Sequence, residues 1–270
     1  MPSGSIRNLQ NMIKLACVLL LLCNIVAGYG QFKPVASNEK PYKAGEKLTF
    51  TIKVGPIIGG TASLTLRHVT HDNRLVYHSR GEGRTIGLAE KLYSVRDIFE
   101  SYFDTQTGLP YKIVRDVKEG NYKKHEEAFI DRTSNTAYSL RLDTTVQVPP
   151  DILDMISLIY YVRILDMSQA KPGDVLKTVT YFDDELFPFE IRYKGKEEVK
   201  TKYGKIMCYR FDPVVEPGRM FDSEDDMTIW LSADKNVIPI KVRFDLLVAS
   251  LKMELDQFSN LKYPLMFKRD

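Results

Sequence analysis

The sequence predicts a mainly β fold, a large, strongly curved antiparallel sheet or partly closed β-barrel with one buried helix near residues 151–164. Three observations carry that prediction. Apolar and polar residues alternate with period two through most of the chain beyond residue 43. The 15 Tyr and 13 Phe are residue types that suit a half-buried pleated surface. A single stretch, after Val148-Pro149-Pro150, abandons the alternation.

Residues 1–30 read as a cleavable secretory signal peptide. Arg7 and Lys14 are the only ionisable side chains there, and both precede the apolar run Leu15 to Val26. That run is shorter than the roughly 20 residues of a membrane-spanning helix. Ala27-Gly28-Tyr29-Gly30 then offers small residues for cleavage after Gly30, and Met12 is an alternative initiator that leaves Lys14 as the whole charged region. Acylation at Cys23 is the competing reading. It is disfavoured because Leu22 stands where lipid attachment wants a small residue. Export to the periplasm is therefore expected.

The remaining chain divides into an extended segment (31–42), one β-rich domain (43–262) and a C-terminal tail (263–270). Within the domain two half-sheets are conceivable, 43–148 and 171–262, joined by the helix. Leu48 to Val54 alternates, Pro56 and Gly59-Gly60 turn the chain, and Ala62 to Arg67 alternates again, which is a hairpin. Strands are expected at Leu75–Ser79, Tyr93–Phe103, Pro110–Val117, Tyr122–Asp131 and Asn135–Leu142, with Glu119-Gly120-Asn121 and Ser134-Asn135 as turns. The helix is expected to start on Asp151 as its cap, with Ile152, Met155, Ile156, Ile159 and Tyr160 on one face. Strands resume at Val175–Phe182, Phe189–Tyr193, Glu197–Thr201, Ile206–Pro213, Met227–Leu231, Ile238–Phe244 and Leu251–Phe258. Glu216-Pro217-Gly218 is one of the turns between them. Lys43-Ala44-Gly45-Glu46 echoes Lys171-Pro172-Gly173-Asp174, each just before a strand pair. Shared turn chemistry explains one short echo more simply than duplication does.

Loss of residues 1–30 removes Cys17 and Cys23, so Cys208 is left alone and no internal disulfide is possible. Stability has to come from the core. Taking Arg7 and Lys14 from the 38 basic residues leaves 36 against 35 acidic ones, and this near neutrality points away from nucleic acid.

The order of several short motifs carries a resemblance. Gly45-Glu46-Lys47-Leu48-Thr49-Phe50, the Gly55-Pro56 to Gly60 turn and Tyr102-Phe103-Asp104-Thr105 to Gly108-Leu109-Pro110 are followed by Leu158 to Arg163. Trp230-Leu231-Ser232-Ala233-Asp234 to Pro239 comes last. In this order the chain resembles the bacterial exported family catalogued as domain of unknown function 3108, over most of residues 40–258. The resemblance implies a β-rich envelope protein and carries across no catalytic residue.

No catalytic, cofactor-binding or metal-ligating residue is predicted. His68 and His71 straddle a strand end and a turn, with no further ligand spaced to complete a zinc set. His78 and His125 read as exposed strand positions, and Cys208 as core filler among apolar strand residues. Asp222, Glu224, Asp225 and Asp226, and likewise Asp183, Asp184 and Glu185, read as solvated acidic turns rather than calcium sites. Lys194, Lys196, Lys200, Lys202 and Lys205 read as lysines protecting a sheet edge rather than as a patch for anionic lipid or glycan. There is no nucleophile elbow, phosphate-binding glycine loop or His-Glu-x-x-His motif. The leading expectation is a non-catalytic module that binds or carries an apolar or amphipathic ligand (lipid, lipoprotein or glycan), with at most peripheral membrane contact. The alternative is a structural or protein-interaction module of the envelope, with a hydrolase behind both.

Overall fold

The computed structural model describes residues 37–214, 226–246 and 249–269. The expected signal peptide, Cys23, the expected turn at 216–218 and the acidic residues Asp222, Glu224 and Asp225 lie outside the described residues.

The first half of the chain supplies β1 (Lys47–Val54), β2 (Ile57–His71), β3 (Arg74–Thr85), the short helix α1 (Gly87–Leu92), β4 (Arg96–Asp104), β5 (Pro110–Glu119), β6 (Tyr122–Asp131), β7 (Thr136–Ser139) and β8 (Thr144–Gln147). Helix α2 (Met155–Arg163) follows. The second half supplies β9 (Val175–Phe182), β10 (Glu185–Thr201), β11 (Gly204–Pro213), β12 (Met227–Ser232), β13 (Pro239–Leu246) and β14 (Ala249–Ser259). All fourteen described strands belong to one antiparallel sheet in the order β8-β7-β6-β5-β4-β3-β2-β1-β14-β13-β12-β11-β10-β9. Each half is a meander. Pairing of β1 with β14 fuses them in the middle of the sheet, so β8 and β9 are the edges and the sheet stays open.

The two edges approach each other across a plugged seam. Val148 to Leu153 crosses it through one turn, in which Ile152 donates to the Pro149 carbonyl: the Val148 amide donates to the Asn135 carbonyl, Leu153 donates to Val179 and accepts from Tyr181. Arg132 holds the crossing by donating to the carbonyls of Pro110, Pro150 and Ile152. The β9–β10 turn is tied to the far half by ion pairs, Asp183 to Arg115 and Lys124 and Asp184 to Arg141. Ile152 and Leu153 are fully buried in this plug. Leu153 bridges in parallel to Thr180 of β9, so the chain is not yet helical there, and the helix cap moves from the expected Asp151 to Asp154. The Asp154 carboxylate accepts from the Ile156 and Ser157 amides while the Ser157 hydroxyl accepts from the Asp154 amide, a reciprocal box.

The expected strands are present, with four changes. Gly59 and Gly60, expected to turn the chain, lie within β2, and the turn is Gly55-Pro56. Phe189–Tyr193 and Glu197–Thr201 are parts of one strand, β10, because Gly195 takes a left-handed φ of 109° and absorbs one extra residue as a bulge. β3 runs on past Ser79 to Thr85 through two glycines, and the expected Asn135–Leu142 strand is β7 followed by a turn and β8. β9 pairs with β10 only as far as Arg192, so the lysines that follow on β10 stand along an edge with β11 as its one strand partner, as expected, but they are not bare charges. Instead they are individually engaged: Lys194 with Asp212, Lys196 over the Tyr209 ring, Lys202 with Asp256.

The sequence echo has a counterpart in geometry. Gly45 and Gly173 take φ of 93° and 101°. Gly45 donates to Leu66 and Glu46 accepts from Leu66, while Gly173 donates to Tyr193 and Asp174 accepts from Tyr193. Both turns thus enter a hairpin in the same way.

One end of the curved sheet is filled. Tyr42, Leu48, Leu66, Tyr77, Phe103, Tyr160, Ile238 and Leu265 form its core. Tyr77 and Phe103 pack at 5.5 Å and Tyr42 stands edge-on to Tyr160. The chain's last described segment closes this end, with Asn236 donating to Tyr263 and Pro264 and Lys268 pairing with Lys205. At its centre Arg163 and Glu46, both almost completely buried, form a two-pronged ion pair at 2.6 and 2.8 Å.

Candidate functional site

The opposite half of the sheet is hollow. α2 lies across its concave face and is fixed at both ends: Asp154 accepts from the Ser101 hydroxyl at 2.5 Å, Tyr160 accepts from Ser79, and Arg163 grips Glu46. These three tethers hold the helix at a set height. Between its Met155, Ile159 and Val162 and the inner wall lies a cavity of about 510 Å³. The wall opposite is apolar, with Phe50, Phe99, Phe189, Ile229, Phe244 and Met253. Met155, on the expected core face, is exposed to this space, although Ile156 and Tyr160 are buried as expected.

Depth comes from small residues on β2 and β3. Gly81 and Gly83 occupy successive inward positions. A Cβ on Gly81 would meet Ile156 Cδ1 at 3.0 Å, so that glycine lets the helix dock, whereas a Cβ on Gly83 would meet nothing within 4 Å. Gly83 therefore faces the hollow. The sequence reading passed over this pair, although glycine inside a strand signals a close approach or a missing side chain.

Where Phe99, Met155 and Ile156 end the apolar wall, a smaller space of about 30 Å³ continues to Arg115, Glu126, Asp154 and Tyr181. The Arg115 guanidinium lies over the Phe182 ring at 4.7 Å and bonds Glu126 and Asp183, and its Nε is buried without a hydrogen-bond partner. The Lys124 hydrogen bond, foremost, holds the Asp183 carboxyl below the usual carboxylate range. Asp183 and Asp184, both in left-handed turn conformations, thus spend their charge on cations of the neighbouring half. Among the described residues no group of three or more His, Cys, Asp or Glu is arranged to hold a metal.

The histidines stand apart from the cavity. His68 and His71 sit at the end of β2 on opposite faces, His68 tilted against the Tyr77 ring and His71 against that of Tyr102, and His125 is exposed on β6. His78 corrects the expectation of exposure: it is 2% exposed, stacked on Tyr102 at 4.2 Å, accepting from Arg67 and donating toward Glu100. Burial lowers its pKa, with Glu100 opposing. A histidine that resists protonation when folded stabilises fully above its unfolded pKa of about 6.5, and the contribution is lost as pH falls below that value. Urea midpoints are accordingly expected to fall in that window, and less steeply in His78→Gln. Identical slopes would show that His78 is not the group responsible. Cys208 is fully buried, and burial pushes its thiol up to about 12, which fits core filling.

Among the described residues no helix is long and apolar enough to cross a membrane. The structure is similar to a β-barrel-like protein of domain of unknown function DUF1849 from Brucella abortus. The TM-score is 0.50 at 10% identity, covering 82% of this chain and 99% of that one, a likeness of fold alone. A candidate lipoprotein from Parabacteroides distasonis aligns at a TM-score of 0.30 and 9% identity, covering 82% and 98%, too distant to support an argument. Comparison with curated proteins finds no match. A family model described as a protein of unknown function, DUF3108, matches residues 47–256, the family that the motif order resembles, and the chain belongs to that family.

Proposed function

We propose that the protein is an exported, non-catalytic binding or carrier module for an apolar or amphipathic ligand held between α2 and the sheet. The cavity carries this reading. The hollow is partly open to solvent, and its volume of about 510 Å³ lies within the range of small-molecule sites, roughly 300–1,000 Å³. Its apolar walls reward a hydrocarbon chain, and the unpartnered Arg115 Nε beside the smaller space suits a hydrogen-bond acceptor at the end of that chain. Export is supported by the charge and apolar pattern of residues 1–30.

Displacement of a bound environment-sensitive fluorophore by saturated fatty acids of increasing length tests the reading. Affinity is expected to rise about fourfold per methylene until the hollow is full and then to level off. Protein that binds neither fluorophore nor fatty acid, and releases no lipid on extraction, would overturn it.

A further inference from the structure

The exposed apolar side chains are not scattered. Antiparallel pairing places the β1–β2 turn, the β3–β4 connection with α1 and the β5–β6 turn at one rim of the sheet. Contacts join them there: Ile86 donates to Gly59, Ala89 packs beside Gly59, and Gly120 donates to Ser94 with Tyr93 against it. On this rim Ile57 is 65% exposed, Leu88 69% and Leu92 78%, with Ile58, Tyr93 and Tyr122 each more than half exposed. None of the six residues of α1 is buried, so this turn of helix presents its leucines outward without serving the core.

The rim is also the end toward which the cavity lies. Gly83 is two residues from the end of β3, and Phe99, Met227, Phe244 and Met253 lie near the same ends of their strands, whereas the other end is closed by core and tail. Charge favours one kind of surface. Residues 53–58, 84–96 and 118–123 carry six cations against Glu90 and Glu119. Lys53, Arg96 and Lys118 are paired with Glu254, Glu82 and Asp116, and Arg84, Lys91 and Lys123 make no ion pair among the described residues. Aliphatic tips, tyrosines at their flanks and surrounding lysines and arginines are the side-chain set that partitions into the interface of an anionic bilayer.

We infer that this rim, with Ile57, Ile58, Leu88, Leu92, Tyr93 and Tyr122 as its inserting residues, docks on an anionic lipid surface with the cavity mouth facing the bilayer. The inference rests on the carrier reading for what passes through the mouth, and on exposure and charge for the surface itself. Full-length protein is mixed with phosphatidylcholine–phosphatidylglycerol vesicles, and amide exchange is followed locally, so that contact made by residues 1–30 does not confuse the readout. Exchange is expected to slow over residues 54–60 and 86–95. Leu88→Gln/Leu92→Gln, which keeps good helix formers at exposed positions, is expected to abolish the slowing and weaken attachment through the rim about a hundredfold. Its melting temperature and its fatty-acid displacement without vesicles should match the parent. Unchanged exchange at the rim on adding vesicles, slowing on another face, or slowing that persists in the double variant would each overturn the docking surface. A loss of displacement in the parent protein would instead count against the carrier reading alone.

Discussion

Arg163→Ala is expected to lower the free energy of unfolding by about 3–5 kcal/mol, which for a domain of this size lowers the melting temperature by roughly 6–20 °C. The guanidinium has no access to water, donates to both Glu46 oxygens and twice to the Asn236 carbonyl, and lies 5.2 and 5.3 Å from the Tyr42 and Tyr160 rings. Burial by itself pulls its pKa down. The Glu46 carboxylate outweighs that and holds it above its ordinary value. Alanine would leave the Glu46 charge in the core with no counter-ion, and that orphaned carboxylate accounts for most of the cost. Replacing both partners with apolar residues of similar volume, Arg163→Met with Glu46→Leu, should therefore destabilise less than either single change. Thermal melts of the three variants decide it. A double variant as unstable as the sum of the single ones would show that Arg163 and Glu46 are not coupled and that a stranded charge does not account for the cost.

The second large effect is on binding. Gly83→Trp is expected to weaken fatty-acid displacement at least a hundredfold while moving the melting temperature by no more than a few degrees. Its indole would project from an inward strand position into space where a Cβ meets no atom. The same substitution at Gly81 should do the opposite in kind, since its Cβ is already in contact with Ile156 Cδ1 and the helix has to yield. Overpacking of that sort costs about 1–3 kcal/mol and shows as a lower melting temperature. Two tryptophans on one face of one strand, two residues apart, thus separate filling the hollow from displacing its roof. Undiminished displacement in Gly83→Trp would locate the ligand elsewhere.

Much of the fold was legible in the sequence because each strand with one wet face writes its own alternation. The register of Leu48, Phe50, Leu64 and Leu66 as core residues follows from that pattern alone. What stayed hidden depended on partners distant in the chain. Asp151 and Asp154 are equally plausible caps locally, and only the docking of Leu153 along β9 shows that the chain is not yet helical there. His78 alternates as an outward residue, yet Tyr102, Arg67 and Glu100 from neighbouring strands bury it. Six residues of α1, with no capping side chain and no buried face, are too short for a helical period to register. The cavity was the least legible part, because a hollow is defined by how far apart α2 and the sheet are held. That distance is set by Asp154, Tyr160 and Arg163 through polar contacts that no hydrophobic pattern encodes.

The fusion of β1 with β14 has a kinetic consequence. Lys53 and Glu254, bonded across that pairing, are 201 residues apart in sequence. Contacts of such separation have high contact order and come late, because the loop between them must be closed before the ladder repays it. Until β14 has been made, a chain whose first eight strands have already paired presents β1 as a bare edge, with every second backbone group open to another molecule. The sheet has no way to hide that edge in halves. Its productive folding belongs to the finished chain, and a truncated or stalled one is expected to associate through β1.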